Sequence, residues 1–510
     1  MFERWTPFLI SIVVIAMIIA PYLFAVQMTD AESVFSGFLI NPIDGHSYLA
    51  KMQQGLQGNW RFVLPYTSEP GEGAYLFLFY LGLGHLSRIL ALPLLVVFHG
   101  FRILGAIFLL GVLYTFNNRI FQEKLHQNIG FGICAIGSGL GWIAVFAGRF
   151  TSDFWVAEAY PFLSMYTNPH FSIGLALMIL ALMPERKENF LWDLILGIGL
   201  GIIQPFAVVI VLIVKFVQLS LGNLKGIIQD RKIFDDPAVI STIAFGFGGG
   251  LILVYQYWSI LNDPVLSLWN DQNITESPGY MDLILSFSPC LILAVAGIKK
   301  AWQEENGKAL VIWAVASLVL VLIPWNLQRR FLTGLFVPLA GLAVYGLIQL
   351  ERTARLTFRT GALILLVLSI PTNIIVIASG IQAAAKQDPK IYQERAVYQG
   401  LTWINDNIPS DSLILANEEV GLLIPAITGR RVLYGHPFET VNAGTEQEFL
   451  RKFIEENQDN SFYEKSIIDK GIDSLFLFGE ISENLENFII SNGYTPDFEN
   501  DLVRIIRVGQ

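Results

Sequence analysis

Up to about residue 380, apolar residues occur in runs of roughly 15–20 separated by short polar breaks. That length suits helices crossing a hydrocarbon core about 30 Å thick. The pattern predicts helices over Pro7–Val26, Tyr75–Leu90, Leu94–Phe116, Ile129–Ala147, Phe171–Met183, Leu191–Ile203, Phe206–Leu221, Val239–Ser259, Met281–Ile298, Leu310–Pro324, Leu332–Gln349 and Gly361–Ser379. The expected fold is therefore a polytopic α-helical membrane protein with about 11–13 transmembrane helices. Gly197, Gly199 and Gly201 run up to Gln204-Pro205, which predicts a short helix, a bend and a return helix. Such a break is tolerated in a membrane where protein or a cavity covers the freed backbone. After the first run, an outer loop over residues 28–73 carries Asn41-Pro42-Ile43-Asp44-Gly45-His46-Ser47-Tyr48, the start of an amphipathic stretch.

Beyond Ser379 the pattern changes. Strand-like Ser412–Ala416, Arg431–Tyr434, Asp473–Phe478 and Leu502–Val508 alternate with helix-like Ala396–Asn407, Glu446–Asn457 and Ser482–Asn492. Ser482 and Gly493 bound the last helix as cap and stop. Alternation of this kind predicts a small α/β layer domain. The expected division is a multi-span domain over residues 1–381 and a soluble extracytoplasmic domain over 382–510, with Ala383–Lys390 as the hinge. There is no GxGxxG run, internal repeat or low-complexity linker.

Composition sharpens this division. Of 510 residues 53% are hydrophobic, and the formal charge is −10. Residues 380–510 hold 11 Lys+Arg against 21 Asp+Glu, whereas the rest balances at 22 each. An acidic tail argues against a nucleic-acid partner. Cys134 and Cys290, both in or beside predicted spans, exclude a disulfide framework or a Cys-rich metal site. The first apolar run is long and has no small-x-small site before Asp30, so it reads as a retained helix.

Basic residues set the orientation. Glu185-Arg186-Lys187, Lys225–Lys232, Lys299–Lys308 and Arg352–Arg359 mark cytoplasmic loops, and Arg4 keeps the N-terminus cytoplasmic. The Asp44 loop, Phe150–Asn168, Leu261–Tyr280, Trp325–Phe331 and everything after Ser379 then fall outside. Three predicted spans separate the Asp44 and Phe150 loops, an odd number for two loops on one face. Either Tyr75–Leu90 and its neighbour or Ile129–Ala147, with its Gly137, Gly139 and Gly141, departs from simple crossing.

Asp44 reads in two compatible ways: as a helix N-cap, or as a general base or metal ligand. His46 lies two residues on, while Tyr48 and Trp60 suit the headgroup level. In a second outer loop Glu158 and His170 flank an aromatic-rich segment. Asp44, His46, Glu158 and His170 together offer ligands suited to a divalent cation, although no HxxxH-type spacing is present. Pro169-His170 equally reads as the start of the next helix. Arg329 and Arg330 lie between apolar spans on the side where positive charge is disfavoured. Their planar forks suit a lipid-carrier phosphate or pyrophosphate; snorkelling to headgroups is the alternative. Gly429-Arg430-Arg431 and Gly435-His436-Pro437-Phe438-Glu439 read either as cavity lining or as strand-edge and turn residues.

In this order the pieces resemble the GT-C superfamily of membrane glycosyltransferases, which includes the protein O-mannosyltransferases and the lipid A aminoarabinose transferases. The matching elements are Asp44 on an outer helix ending near Gly55-Asn59-Trp60, the Glu158 and His170 loop, and the Gln328-Arg329-Arg330-Phe331 turn. An outer C-terminal domain opening at Gly400–Pro409 completes the set. The likeness covers essentially the whole chain, though each motif is short. It implies a sugar donor on a polyprenyl phosphate or pyrophosphate, an acceptor of unknown identity, and inverting transfer at the outer face of the cell membrane. It also implies that Asp44 is the base, that Arg329 and Arg330 hold the donor phosphate, and that His46, Tyr48, Glu158 and His170 are secondary polar or acceptor-side groups. A divalent metal ion is a candidate cofactor, with Asp44, Glu158 and His170 as candidate ligands. Many mannosyltransferases carry Asp-Glu where this chain has Asp44-Gly45. The helical pattern also admits a transporter or lipid flippase using the broken helices for a midplane site, or a non-catalytic membrane scaffold. Charged residues within the spans are scarce and no inverted repeat is visible, which counts against the transporter.

Overall fold

The computed structural model describes residues 2–184, 188–222, 236–324, 326–354 and 356–509. The basic stretches at Glu185–Lys187 and Lys225–Lys232, Trp325 and the Arg4 side chain lie outside the described residues. Six described helices are long and apolar enough to cross a membrane: Trp5–Gln27, Leu94–Ile120, Lys124–Phe146, Pro237–Asn262, Glu305–Leu322 and Phe358–Ala385. A pair bent by 78°, Tyr280–Phe287 and Cys290–Ala301, makes a seventh if it is one span. Leu78–Leu90, Pro169–Ala181, Phe190–Ile203 and Pro205–Leu221 are apolar but shorter. The expected spans thus divide into six or seven helices long enough to cross and others that are shorter. On Pro237–Asn262 the exposed Phe247, Leu251, Val254 and Trp258 recur at helical spacing. An apolar stripe on the exposed face is what lipid, not water, selects.

By their contacts the residues form two compact units. The first comprises Met1–Pro21, His99–Tyr255 and Thr275–Gln382 and is helical. The expected break is present: one helix ends at Ile203 and the next begins at Pro205. Buried Gln204 donates to Thr333 Oγ1 at 3.3 Å, so protein covers the interruption. The Ile129–Ala147 run is likewise parted, into Lys124–Ile136 and Gly141–Phe146. Here Asp153 accepts from Gly141 N at 3.0 Å and Thr151 Oγ1 at 2.6 Å. Burial raises the Asp153 pKa despite those bonds. One pair of charges within the apolar helices is matched by its own members. Asp193 lies 3.9 Å from Lys215, which donates to Ser241 at 3.1 Å, and all three are buried.

The second unit comprises Tyr22–Phe98, Gln256–Ile274 and Ala383–Gln510. Strands β1 (Ser33–Phe35) and β2 (Tyr392–Glu394) pair antiparallel. Strands β3 (Leu413–Ala416), β4 (Arg431–Val432), β5 (Ser474–Phe478), β6 (Phe498–Glu499) and β7 (Val503–Arg507) form one sheet in the order β4-β3-β5-β7-β6. The pairs β4-β3 and β3-β5 are parallel; β7 runs antiparallel to β5 and β6. Alternation splits the core. Leu413, Leu415, Leu475, Leu477 and Ile506 pack with Leu450, Phe453 and Phe488, whereas Ile414, Ala416, Phe476 and Ile505 pack with Val397, Leu401 and Ile424. The result is the expected layered α/β sheet.

Two details depart from expectation. The segment expected to be a hinge is fastened: Gln387 donates to Met28 O at 2.6 Å and Asp30 Oδ2 at 2.9 Å, just before β2 joins β1. Helix Leu78–Leu90, with 13 residues, is about 20 Å long, too short for the hydrocarbon core. It packs instead on helix Pro42–Leu56. A Cβ on Gly55 would stand 2.1 Å from Leu81 O, and one on Gly84 would stand 1.9 Å from Met52 O.

Candidate active site

Helix Pro42–Leu56 places Asp44, Ser47 and Lys51 at i, i+3 and i+7, on one face. It opens at Asn41, whose φ of 49° is left-handed, a region Asn tolerates better than most residues. Asn41 is the N-cap residue, yet its side chain makes no capping bond. Its Nδ2 donates to Asp44 Oδ2 instead. Asp44 is thus not the cap but a first-turn carboxylate held by the cap. Its other oxygen, Oδ1, faces His436 Nε2 at 3.6 Å; the His436 side chain is 2% exposed and that of Asp44 is 42% exposed.

Two main-chain N–H groups, of Phe438 and Glu439, donate to His436 Nδ1 at 3.1 Å each. The ring proton of the neutral imidazole therefore sits on Nε2, the atom turned toward Asp44. Further along the same helix face, buried Lys51 pairs with Glu439 at 2.8 Å. Ser47 Oγ donates to Glu439 Oε1 at 2.6 Å, and Lys51 Nζ donates to Ser47 Oγ at 2.5 Å. Lys51 Nζ also lies 4.5 Å from the Phe77 ring centroid. Burial pushes the Glu439 pKa up, but the Lys51 charge and the hydrogen bonds from Lys51 and Ser47 offset it and hold the carboxyl below its ordinary value.

His46 does not join this face, because residues at i and i+2 of a helix point apart. It is buried, with Nδ1 2.7 Å from Pro42 O and its ring edge-on to Phe38 at 5.1 Å. Burial lowers its pKa to about 4. Tyr48 stacks on Tyr80 at 4.4 Å, and Trp60 on His85 at 4.0 Å. Arg430 is spent on the carbonyls of Ile408 and Asn405, at 3.1 and 3.0 Å. Arg431 reaches Asp411 O at 3.0 Å. Both arginines are strand-edge residues, whereas His436 and Glu439 from the neighbouring turn face the Asp44 helix.

The remaining candidates lie in the first unit. Glu158 is buried, and its Oε1 is 3.3 Å from Arg330 Nη1. The Arg329 guanidinium carbon stands 4.7 Å from the Trp155 ring centroid. Segment 155–158 therefore supplies one partner to each arginine. Gly334 N donates to Glu158 O at 2.9 Å, and Thr333 Oγ1 donates to Arg330 O at 2.7 Å, fixing the short 3₁₀ turn Gln328–Leu332. His170 occupies the first turn of Pro169–Ala181 with its ring 4.0 Å from Phe171, as the helix-start alternative expects.

Each candidate metal ligand has another neighbour. Glu158 engages Arg330, His170 lies against Phe171, and Asp44 belongs to the other unit beside His436. Among the described residues no group of three or more His, Cys, Asp or Glu side chains has the placement to hold a metal ion. The described donor set does not fit a metal. Asn41, Ser47 and Lys51 were not singled out from sequence. Their signals were an Asn ahead of Pro and the Asp44, Ser47, Lys51 spacing.

No protein-family model matches the chain, and no curated protein sequence does. Solved structures do. The oligosaccharyltransferase of Archaeoglobus fulgidus in its apo form is 13% identical with a TM-score of 0.55, over 94% of this chain and 70% of that one. The same protein complexed with Zn and sulfate is 15% identical with a TM-score of 0.51, over 90% and 67%. Complexed with an inhibitory peptide and a dolichol-phosphate it is 13% identical with a TM-score of 0.50, over 91% and 69%. The ArnT protein of Cupriavidus metallidurans bound to undecaprenyl phosphate is 11% identical with a TM-score of 0.48, over 97% of both chains. The chain thus shares its fold with the oligosaccharyltransferase of Archaeoglobus fulgidus.

Proposed function

We propose that this chain is a membrane glycosyltransferase that moves a sugar from a polyprenyl-phosphate or pyrophosphate donor to an acceptor hydroxyl or amide at the outer face of the cell membrane, with inversion. The observation that carries this reading is the treatment of Asp44. A residue built to cap the helix turns its amide to the Asp44 carboxylate, and a buried imidazole faces the other oxygen, while the carboxylate stays partly open. A merely structural acid has no need of two such neighbours and continued access.

The chemistry follows from those groups. An acceptor proton is held too tightly to leave unaided, and a positioned base is typically worth about 10²–10⁴-fold. Asp44 takes that proton as the acceptor attacks the sugar carbon. The bond to the donor phosphate breaks, and the phosphate gains charge. Arg329 and Arg330, each oriented by a residue of segment 155–158, hold the donor phosphate and stabilise it as it leaves. The dolichol-phosphate bound by the archaeal oligosaccharyltransferase supports a lipid-phosphate donor. This reading keeps the N-terminus cytoplasmic and the C-terminal sheet outside.

The test is Asp44→Asn in purified protein supplied with polyprenyl-phosphate sugars extracted from the host envelope. Transfer should fall about 10²–10⁴-fold with the unfolding temperature unchanged. Turnover near the parent's would end the assignment of Asp44 as base.

A further inference from the structure

A carboxylate works as a base only if one lone pair points at the incoming proton, and its terminal torsion is soft. Asn41 fixes Oδ2. The partner of Oδ1 comes from the turn after β4, in the parallel part of the C-terminal sheet. We propose that His436 is a positioning residue for sugar transfer, whose Nε2–H locks the Asp44 carboxylate in its proton-accepting orientation; this rests on the reading of Asp44 as base.

Three observations carry it. The ring is buried, so its orientation is fixed by packing, with the Tyr66 ring 5.8 Å away. The two main-chain donors on Nδ1 leave Nε2 as the donor nitrogen. Nε2 itself is a buried atom with no hydrogen-bond partner at ordinary length, and it is aimed at Asp44 from 3.6 Å. A buried donor left unsatisfied is costly. A contact that shortens as substrate binds gives the atom a use, since catalytic hydrogen bonds are often long before substrate arrives. Lys51 and Glu439 hold the same turn against the same helix, so the turn does not depend on the Asp44 contact for its place.

His436 also anchors its own turn through Nδ1, and two substitutions separate the roles. In His436→Asn the amide oxygen replaces Nδ1 and keeps the turn, but nothing reaches Asp44. In His436→Gln the amide N–H₂ replaces Nε2 and reaches Asp44, but the turn loses its acceptor. Positioning predicts that His436→Asn lowers kcat about 10–100-fold with the donor KM unchanged. His436→Gln should stay within about 3-fold, a loss well below the cost of misplacing the base. In an Asp44→Asn background, His436→Asn should then have no further effect, because the residue acts through Asp44. Near-parental kcat in His436→Asn, or greater loss in His436→Gln than in His436→Asn, would overturn the proposal. Asp44→Asn alone, assayed in parallel, separates the two failures: an active Asp44→Asn removes the base, whereas an inactive one beside an active His436→Asn removes only the positioning role.

Discussion

The two charged centres of this protein are arranged in opposite senses. In the second unit the acid is the accessible partner: Asp44 is 42% exposed, and the His436 ring facing it is 2% exposed. In the first unit the acid is the buried partner: Glu158 is 6% exposed and Arg330 is 32% exposed. One centre offers a carboxylate to whatever approaches, the other a guanidinium. A proton acceptor and a phosphate holder need those opposite presentations, because a charge sealed from solvent and substrate serves only its partner. On the proposed function, the difference separates the roles of the two regions more clearly than their residue types do.

The sharpest way to break this comparison is to remove one charge from a buried pair in each unit. Glu439→Gln leaves Lys51, whose side chain is 1% exposed, with no counter-charge, and should cost about 3–5 kcal/mol of stability. Glu158→Gln leaves Arg330 with enough exposure for water to solvate it, and should cost about 1 kcal/mol. Replacing both Lys51 and Glu439 by apolar residues of similar volume should recover most of the first loss. Denaturation midpoints of detergent-solubilised variants give the comparison. Equal losses for the two acids would mean that exposure does not distinguish the centres.

Acid should act on the Asp44 unit through His46. Its folded pKa of about 4 lies below the ordinary 6.5, so the unfolded chain binds more protons across that interval. The sign is fixed: stability is complete above about pH 6.5 and falls as pH drops toward 4, by about 3 kcal/mol in all. Glu439, held below its ordinary value, loses its contribution only at lower pH, as the carboxyl protonates. His46→Phe keeps the packing on Phe38 and should flatten the upper limb of the profile while leaving the acid limb. An unchanged profile in that variant would remove His46 as the source.

Much of this architecture was legible in the chain, for physical reasons that differ by region. Lipid-facing helices must be apolar, so their runs stand out, and strands such as Leu413–Ala416 and Ser474–Phe478 announce themselves by β-rich composition between breaks. Helix Asn460–Lys470 was missed although Asp459 caps it through Phe462 N at 2.8 Å and Gly471 ends it at φ 65°; its polar residues masked the apolar face. Asp44 was legible from its place after the first span. Its partnership with His436 was not, nor was the Lys51 and Glu439 pair, whose members are 388 residues apart. No local pattern encodes a contact made by folding over that distance. Apolar runs also do not separate a long helix such as Leu94–Ile120 from a short one such as Leu78–Leu90, which packs on its neighbour through Gly55 and Gly84.

The smallest effect expected concerns how the arginine centre aims its charge. Arg330 is oriented by an ion pair, but Arg329 lies over the face of Trp155. Stacking of this kind is worth about 0.5–1 kcal/mol at exposed sites, and Trp155 is 40% exposed. Trp155→Leu keeps apolar bulk and removes the π face, so the donor KM should rise about 2–5-fold with kcat unchanged. Trp155→Phe should fall between the two, since its ring attracts a cation more weakly than indole does. That graded order is the informative part, because a loss of packing alone would not rank Phe above Leu. If instead kcat fell while KM held, the ring would belong to the bond-breaking step rather than to donor binding, and the two centres would no longer divide the work by charge.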